Sequence, residues 1–215
     1  NELNKPYDLL KKVSNWRRFY AVINAASVFM EKAPRTVELD RSYSEQNLKY
    51  DIAQVRALRA FAYFYMVRIW GDVPLVTYSY DNGTFPSMPR TDAQTVLSYA
   101  KAELLTAIKD LPYQYGTQTN LYYGSYGAQW QGKLFNKLSA YSVLAHICAW
   151  QGNYAEAETY SAFIIDHASE INAKYTSIAD LTSETGLFYS NTSVKGSRIL
   201  GFNFAHNDNE ATQSG

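Results

Sequence analysis

A single cysteine, Cys148, in 215 residues leaves nothing to close an internal disulfide, so cysteine usage assigns no redox compartment. It falls in an apolar helical run and reads as a small buried hydrophobe. Neither charge is in excess: Lys+Arg is 20 and Asp+Glu is 20, for a formal net charge of +0. A neutral chain lacks the broad positive field that draws proteins to phosphate backbones or anionic lipid, which argues against nucleic acid as a partner. No run approaches the roughly 20 apolar residues that span a bilayer. The chain opens with neither methionine nor a signal peptide, and its polar end at residues 210–215 has no closing element, so both ends read as cut.

Catalytic motifs are missing as well. His146, His167 and His206 belong to no His-Glu-x-x-His zinc pattern, and no Gly-x-Ser-x-Gly elbow or glycine-rich phosphate loop occurs. Asp166 and His167 are neighbours on a helix, point different ways and make no dyad. The expectation is a protein with no catalytic residue, no metal site and no cofactor.

What is present is apolar and aromatic. The chain is 47% hydrophobic, enough to bury a core, and holds 19 tyrosines. Five segments carry helical periodicity. The first spans about 7–32, with Trp16, Phe19, Ile23, Ala26 and Met30 on one stripe. The second spans about 51–70, with Ile52, Val55, Leu58, Ala62, Met66 and Ile69 sharing a face; Gly71 and Pro74 stop it. The third follows Thr91, whose spacing to Gln94 predicts a capping box, and ends at Pro112. The fourth (about 134–151) and fifth (154–168) are joined at Gly152. Tyr141, Leu144, Ala145, Cys148, Gly152, Tyr154 and Ala157 fall at tetratricopeptide helix–turn–helix spacings, with Ala145 and Ala157 at the seam. Near the end Leu200, Phe202 and Phe204 alternate with Gly201 and Asn203, which predicts a short strand.

The helix over 55–70, rich in Arg56, Arg59, Arg68 and aromatics, runs directly into Gly71, Asp72, Val73, Pro74 and Leu75. That helix and turn resemble the signature of the SusD/RagB family. Further pieces agree in order: Trp16, Tyr20, Ile23 and Asn24 before it; Arg90 and a helix ending at Asp110, Leu111 and Pro112 after it; then the tetratricopeptide pair over 140–157 and the stretch 197–204. The resemblance implies an all-α, tetratricopeptide-like helical array with long inserted loops and a minor β element near the C-terminus. It treats residues 1–215 as one SusD-like helical domain, a fragment of a longer protein. It implies a nutrient-capture lipoprotein on the cell-surface face of the outer membrane, partnered by a SusC-like TonB-dependent transporter and a glycan or peptide ligand. Membrane contact is then expected only through a lipid anchor absent from this chain.

Two loops hold the candidate ligand residues. One, at 77–90, carries Tyr80 and Asn82 beside Tyr78. The other, at 113–132, carries Tyr122, Tyr123, Tyr126 and Trp130 among Gly, Ser, Thr, Asn and Gln. Aromatic faces beside short polar side chains suit a sugar, whose C–H face stacks while its hydroxyls bond to groups such as Asn82, Asn120 or Gln129. These residues come from residue type alone, because neither loop carries a family motif. The other reading of the same loops is a self-packed surface segment. The arginines Arg56 and Arg59 read as structural, stacking on tyrosine or bonding to loop carbonyls. A rival function from another class is a tetratricopeptide scaffold that holds a partner's peptide and binds no glycan.

Overall fold

A computed structural model describes residues 15–80, 86–124, 130, 132–173, 178 and 199–201. Among them run helices α1 (Arg17–Leu39), α2 (Glu45–Trp70), α3 (Ala93–Ala107), α4 (Lys137–Trp150) and α5 (Tyr154–Asp166), then a 3₁₀ turn at Ala168–Ile171. Consecutive helices pack on one another, α1 on α2 through to α4 on α5, as a tetratricopeptide-like array requires. The expected all-α class is thus found. The strand expected around Leu200 falls mostly on residues 202–204, which lie outside the described residues.

Local chemistry explains most boundaries. Ser44 caps α2 by accepting from the Asn47 amide at 3.1 Å. Gly71, at φ +69°, ends that helix with its N–H on the Val67 carbonyl at 2.9 Å. Asn136 and Ser139 form a reciprocal capping box at the start of α4, and Gly152 takes φ +82° in the turn before α5.

Four expectations are corrected. First, α1 continues through Pro34 to Leu39 instead of ending near residue 32. A mid-helix proline costs about 3 kcal/mol, and burial of the adjacent Ala33 helps hold the turn. Second, the cap of α3 is Asp92, whose carboxylate accepts from the Thr95 amide at 2.9 Å, not Thr91. Thr91 is held out of the helix by a two-bond backbone bridge to Val73, and Asp72 accepts from the Ala93 amide at 2.9 Å.

Third, α2 does not bury a single stripe. Ala53, Ala57, Ala60, Tyr63, Phe64 and Val67 are buried with Met66, while Ile69 is exposed, because α1, α3 and α4 all lie against this helix. Fourth, of the positions expected on one stripe of α5 (Tyr154, Ala157, Ser161, Ile164 and Ala168), only Ala157, Ile164 and Ala168 are half-buried. Tyr154 is 72% exposed and Ser161 is exposed. Tyr160 and Phe163 meet Tyr141 of α4 instead, at ring-centroid distances of 5.7 and 4.1 Å. Ala145 is buried and Ala157 half-buried, so this aromatic contact lies beside the small-residue positions.

Two phenols pin the turn after α2. The buried Tyr63 hydroxyl both accepts from the Val76 amide and donates to its carbonyl, each at 2.8 Å. Tyr20 donates to the Pro74 carbonyl at 2.7 Å. Arg56 and Arg59 are structural, as expected, but their principal partner is Glu103 of α3, which sequence reading did not single out.

Candidate functional site

The loop after α3 is fastened to α2 around one carboxylate. Asp51 is buried in α2, and no basic residue stands three or four positions from it along the helix. Its charge is met instead by phenols from elsewhere in the chain. Tyr122 donates to Oδ1; Tyr43 and Tyr123 both donate to Oδ2, at 2.8 and 2.5 Å. The Tyr123 amide also donates to Asn47 at 3.2 Å. Beside this hub, Tyr50 donates to Asn120 at 2.9 Å, and Tyr115 donates to the Phe135 carbonyl at 2.9 Å. Tyr50, Tyr115 and Tyr122 form a second small core with Trp130 and Leu134 packed on it.

The predicted site residues therefore have different fates. Tyr122 is only 6% exposed, with Trp130 edge-on to it at 5.2 Å; it serves the fold. Tyr123 is 52% exposed. Its ring lies near-parallel to that of Tyr43, 25° apart with centroids at 6.2 Å. Both line a cleft of about 720 Å³ that runs along α1 past Phe29, Lys32 and Asp40. Trp130 is half-buried, its indole N–H without a partner, and lines a smaller cavity of about 240 Å³. Tyr80 is not part of this cluster. Asn24 of α1 pairs with both its backbone amide, at 2.7 Å, and its carbonyl, at 3.0 Å, and its hydroxyl donates to Tyr78 at 2.6 Å. Tyr126, Asn82 and Gln129 lie outside the described residues.

Sequence reading missed Tyr43 and Asp51. The available signal was the isolated acid on an apolar helix, which demands a distant polar partner. Among the described residues, no group of three or more His, Cys, Asp or Glu side chains could hold a metal ion. No helix among them is long and apolar enough to cross a membrane.

Burial, followed by the bond to Asp51, pushes the Tyr123 phenol up to about 12, and the same causes push Tyr43 and Tyr122 higher. A phenol raised in the folded state contributes stability that is complete below its unfolded value near 10 and is lost as pH rises through the folded value. An ultraviolet titration is therefore expected to show part of the tyrosines ionising normally and the rest only with alkaline unfolding. A smooth, complete titration centred near pH 10 with native circular dichroism retained would contradict this placement.

No family model matches the chain. Over 147 residues it is 31% identical to a SusD-like protein, P38, of Formosa agariphila, an alignment covering 67% of this chain and 24% of that relative. Among solved structures, a SusD superfamily protein of Bacteroides thetaiotaomicron superposes with a TM-score of 0.87 at 99% identity, over 95% of this chain and 45% of that one. A laminarin binding SusD-like protein superposes with a TM-score of 0.56 at 25% identity, over 76% of this chain and 31% of that one. The chain thus spans about a quarter of the curated relative and less than half of the first solved structure.

Proposed function

The chain belongs to the SusD family, and from that membership we propose that it captures oligosaccharide nutrients without chemistry of its own. It works at the outer face of the outer membrane and delivers its ligand to a SusC-like TonB-dependent transporter. The observation that carries this reading is the Tyr43–Tyr123 wall of the cleft along α1. A sugar ring offers C–H groups on one face and hydroxyls at its rim. The wall offers aromatic faces, and Ser42, Asp40 and Lys32 in the same cleft offer acceptors and donors for the rim. A relative described as laminarin binding supports a glucan as the first ligand class to try. Tyr78 and Tyr80, a ring pair with centroids at 4.9 Å held on α1, form a second aromatic platform.

The test is calorimetry with a laminarin oligosaccharide. Loss of one stacked ring is worth about 0.5–1.5 kcal/mol beyond area, so Tyr123→Ala is expected to weaken binding about two- to tenfold. Trp130→Ala, which removes the support of Tyr122, is expected to weaken it less. Binding equal to the parent in both variants would remove this loop from the site. The scaffold reading draws on a different observation: Trp150, Tyr154 and Ile165 are large hydrophobics exposed on the face of the α4–α5 pair, a surface suited to a protein. A glycan array without a single hit, beside capture of a peptide on that face, would favour it. In the capture reading the same face is where the transporter docks.

A further inference from the structure

We propose that the cleft between the first turn of α2, the turn after α3 and the start of α4 binds the acidic group of an anionic saccharide, a carboxylate or a sulfate ester. This rests on the glycan-capture reading and narrows its ligand class. The cleft measures about 430 Å³, within the range of small-molecule sites, and includes Lys49, Lys109, Lys137, Asp110 and Asn120. Three ammonium groups face one carboxylate there, on a chain whose formal net charge is +0.

Their convergence is tertiary. Lys49 comes from α2, Lys109 from the turn after α3, and Lys137 is the first residue of α4. A solvated charge run along one helix would not bring them to one cleft. In the core between the helices the cations are matched: Arg56 and Arg59 meet Glu103, and Lys101 meets Glu156. Among the described residues, no carboxylate lies within ion-pair distance of Lys49, Lys109 or Lys137. Lys137 is half-buried and held over the Tyr113 ring at 5.2 Å, so its position is set by packing.

Neutral groups in the cleft reinforce the sign. The Asn120 side-chain oxygen is taken by the Tyr50 hydroxyl at 2.9 Å, leaving its N–H pair to donate. Donors thus outnumber acceptors, which suits an oxyanion. Tyr113 is half-buried at the cleft's edge, and with the volume of the cleft this leaves room for more than a free inorganic ion.

Calorimetry on the chain tests this with four probes: an oligogalacturonate, a chondroitin sulfate oligosaccharide, inorganic sulfate and a neutral laminarin oligosaccharide. An anionic oligosaccharide is expected to bind more tightly than the neutral one, with affinity falling as salt rises from about 20 mM to about 300 mM. Exposed charge pairs are weak, so each of Lys49→Gln, Lys109→Gln and Lys137→Gln is expected to cost about two- to fivefold. The triple variant should lose the preference while its neutral binding and melting temperature stay unchanged, and Lys109→Arg should retain it. Comparison of uronate with sulfate ester identifies which acid is read. Unchanged anionic affinity in the triple variant overturns the proposal, as does inorganic sulfate binding as tightly as the oligosaccharides. If neutral glycan binds with its dependence on Tyr123 and anionic glycan shows no preference, this inference alone fails. If neither binds, the capture reading fails with it.

Discussion

Replacing Glu103 with alanine is expected to lower the unfolding free energy by about 3–5 kcal/mol, the range for removing one partner of a buried ion pair. The carboxylate serves two arginines at once. One oxygen accepts from Arg56 at 2.7 Å; the other accepts from Arg59 Nε at 3.1 Å and Nη2 at 2.5 Å. Arg59 is only 5% exposed. Its other bonds, to Ser27 at 2.8 Å and the Thr77 carbonyl at 3.5 Å, and its stacking over Tyr99 at 5.7 Å, cannot replace a lost counter-charge. Alanine therefore strands a guanidinium between α1, α2 and α3. The cost belongs to the orphaned charge and not to the pair itself, because a buried pair scarcely repays its desolvation. The double variant Arg59→Met with Glu103→Leu should accordingly recover most of the loss. Urea denaturation of the parent, the single and the double variant gives the comparison. A single variant within about 1 kcal/mol of the parent would mean that Arg59 reaches water and that the network is peripheral.

The second large effect is expected at Asp51. Asp51→Ala removes the acceptor of three phenols. Only Tyr122 is buried outright, and an unsatisfied buried hydroxyl costs roughly 1–3 kcal/mol; Tyr43 and Tyr123 can turn toward water. The expected total is about 3 kcal/mol. Asp51→Asn keeps one acceptor oxygen and is expected to cost about 1 kcal/mol. That milder variant is the more informative one. Asp51 does not line the α1 cleft, so a direct ligand contact is not at stake. If the carboxylate holds the Tyr43 and Tyr123 rings parallel, Asp51→Asn should weaken laminarin binding without unfolding the chain. Unchanged stability in Asp51→Ala and unchanged binding in Asp51→Asn would reduce the hub to a surface decoration.

Both effects concern residues that sequence reading passed over, and for the same reason. Arg59 and Glu103 are 44 positions apart, and Asp51 and Tyr122 are 71 apart. No periodicity couples positions at such distances. The arginines were visible as structural, but the acid that neutralises them was one among 20. The loop tyrosines were visible as an aromatic, polar segment with no helical stripe. Absence of a stripe says only that a ring is not on an amphipathic helix; it does not say that the ring is exposed. Tyr122 and Tyr123 are adjacent, of one residue type and bonded to one carboxylate, yet one is buried and the other lines a cleft.

The chain's own letters determined the helices, because helix formation is local: the i to i+4 ladder, the caps at Ser44 and Asn136, and the left-handed stops at Gly71 and Gly152 are all written within a few residues. They also carried the order of motifs by which the SusD family is recognisable. Tertiary structure decided three things that local rules left open. It set which side of α5 faces inward, since Tyr160 and Phe163 found Tyr141. It carried α1 through Pro34, because packing outweighed a local cost. And it chose which polar side chains are used up in holding the fold and which are left to meet a ligand. That last choice depends on the partner each group finds across the fold, and only the packed helices bring those partners together.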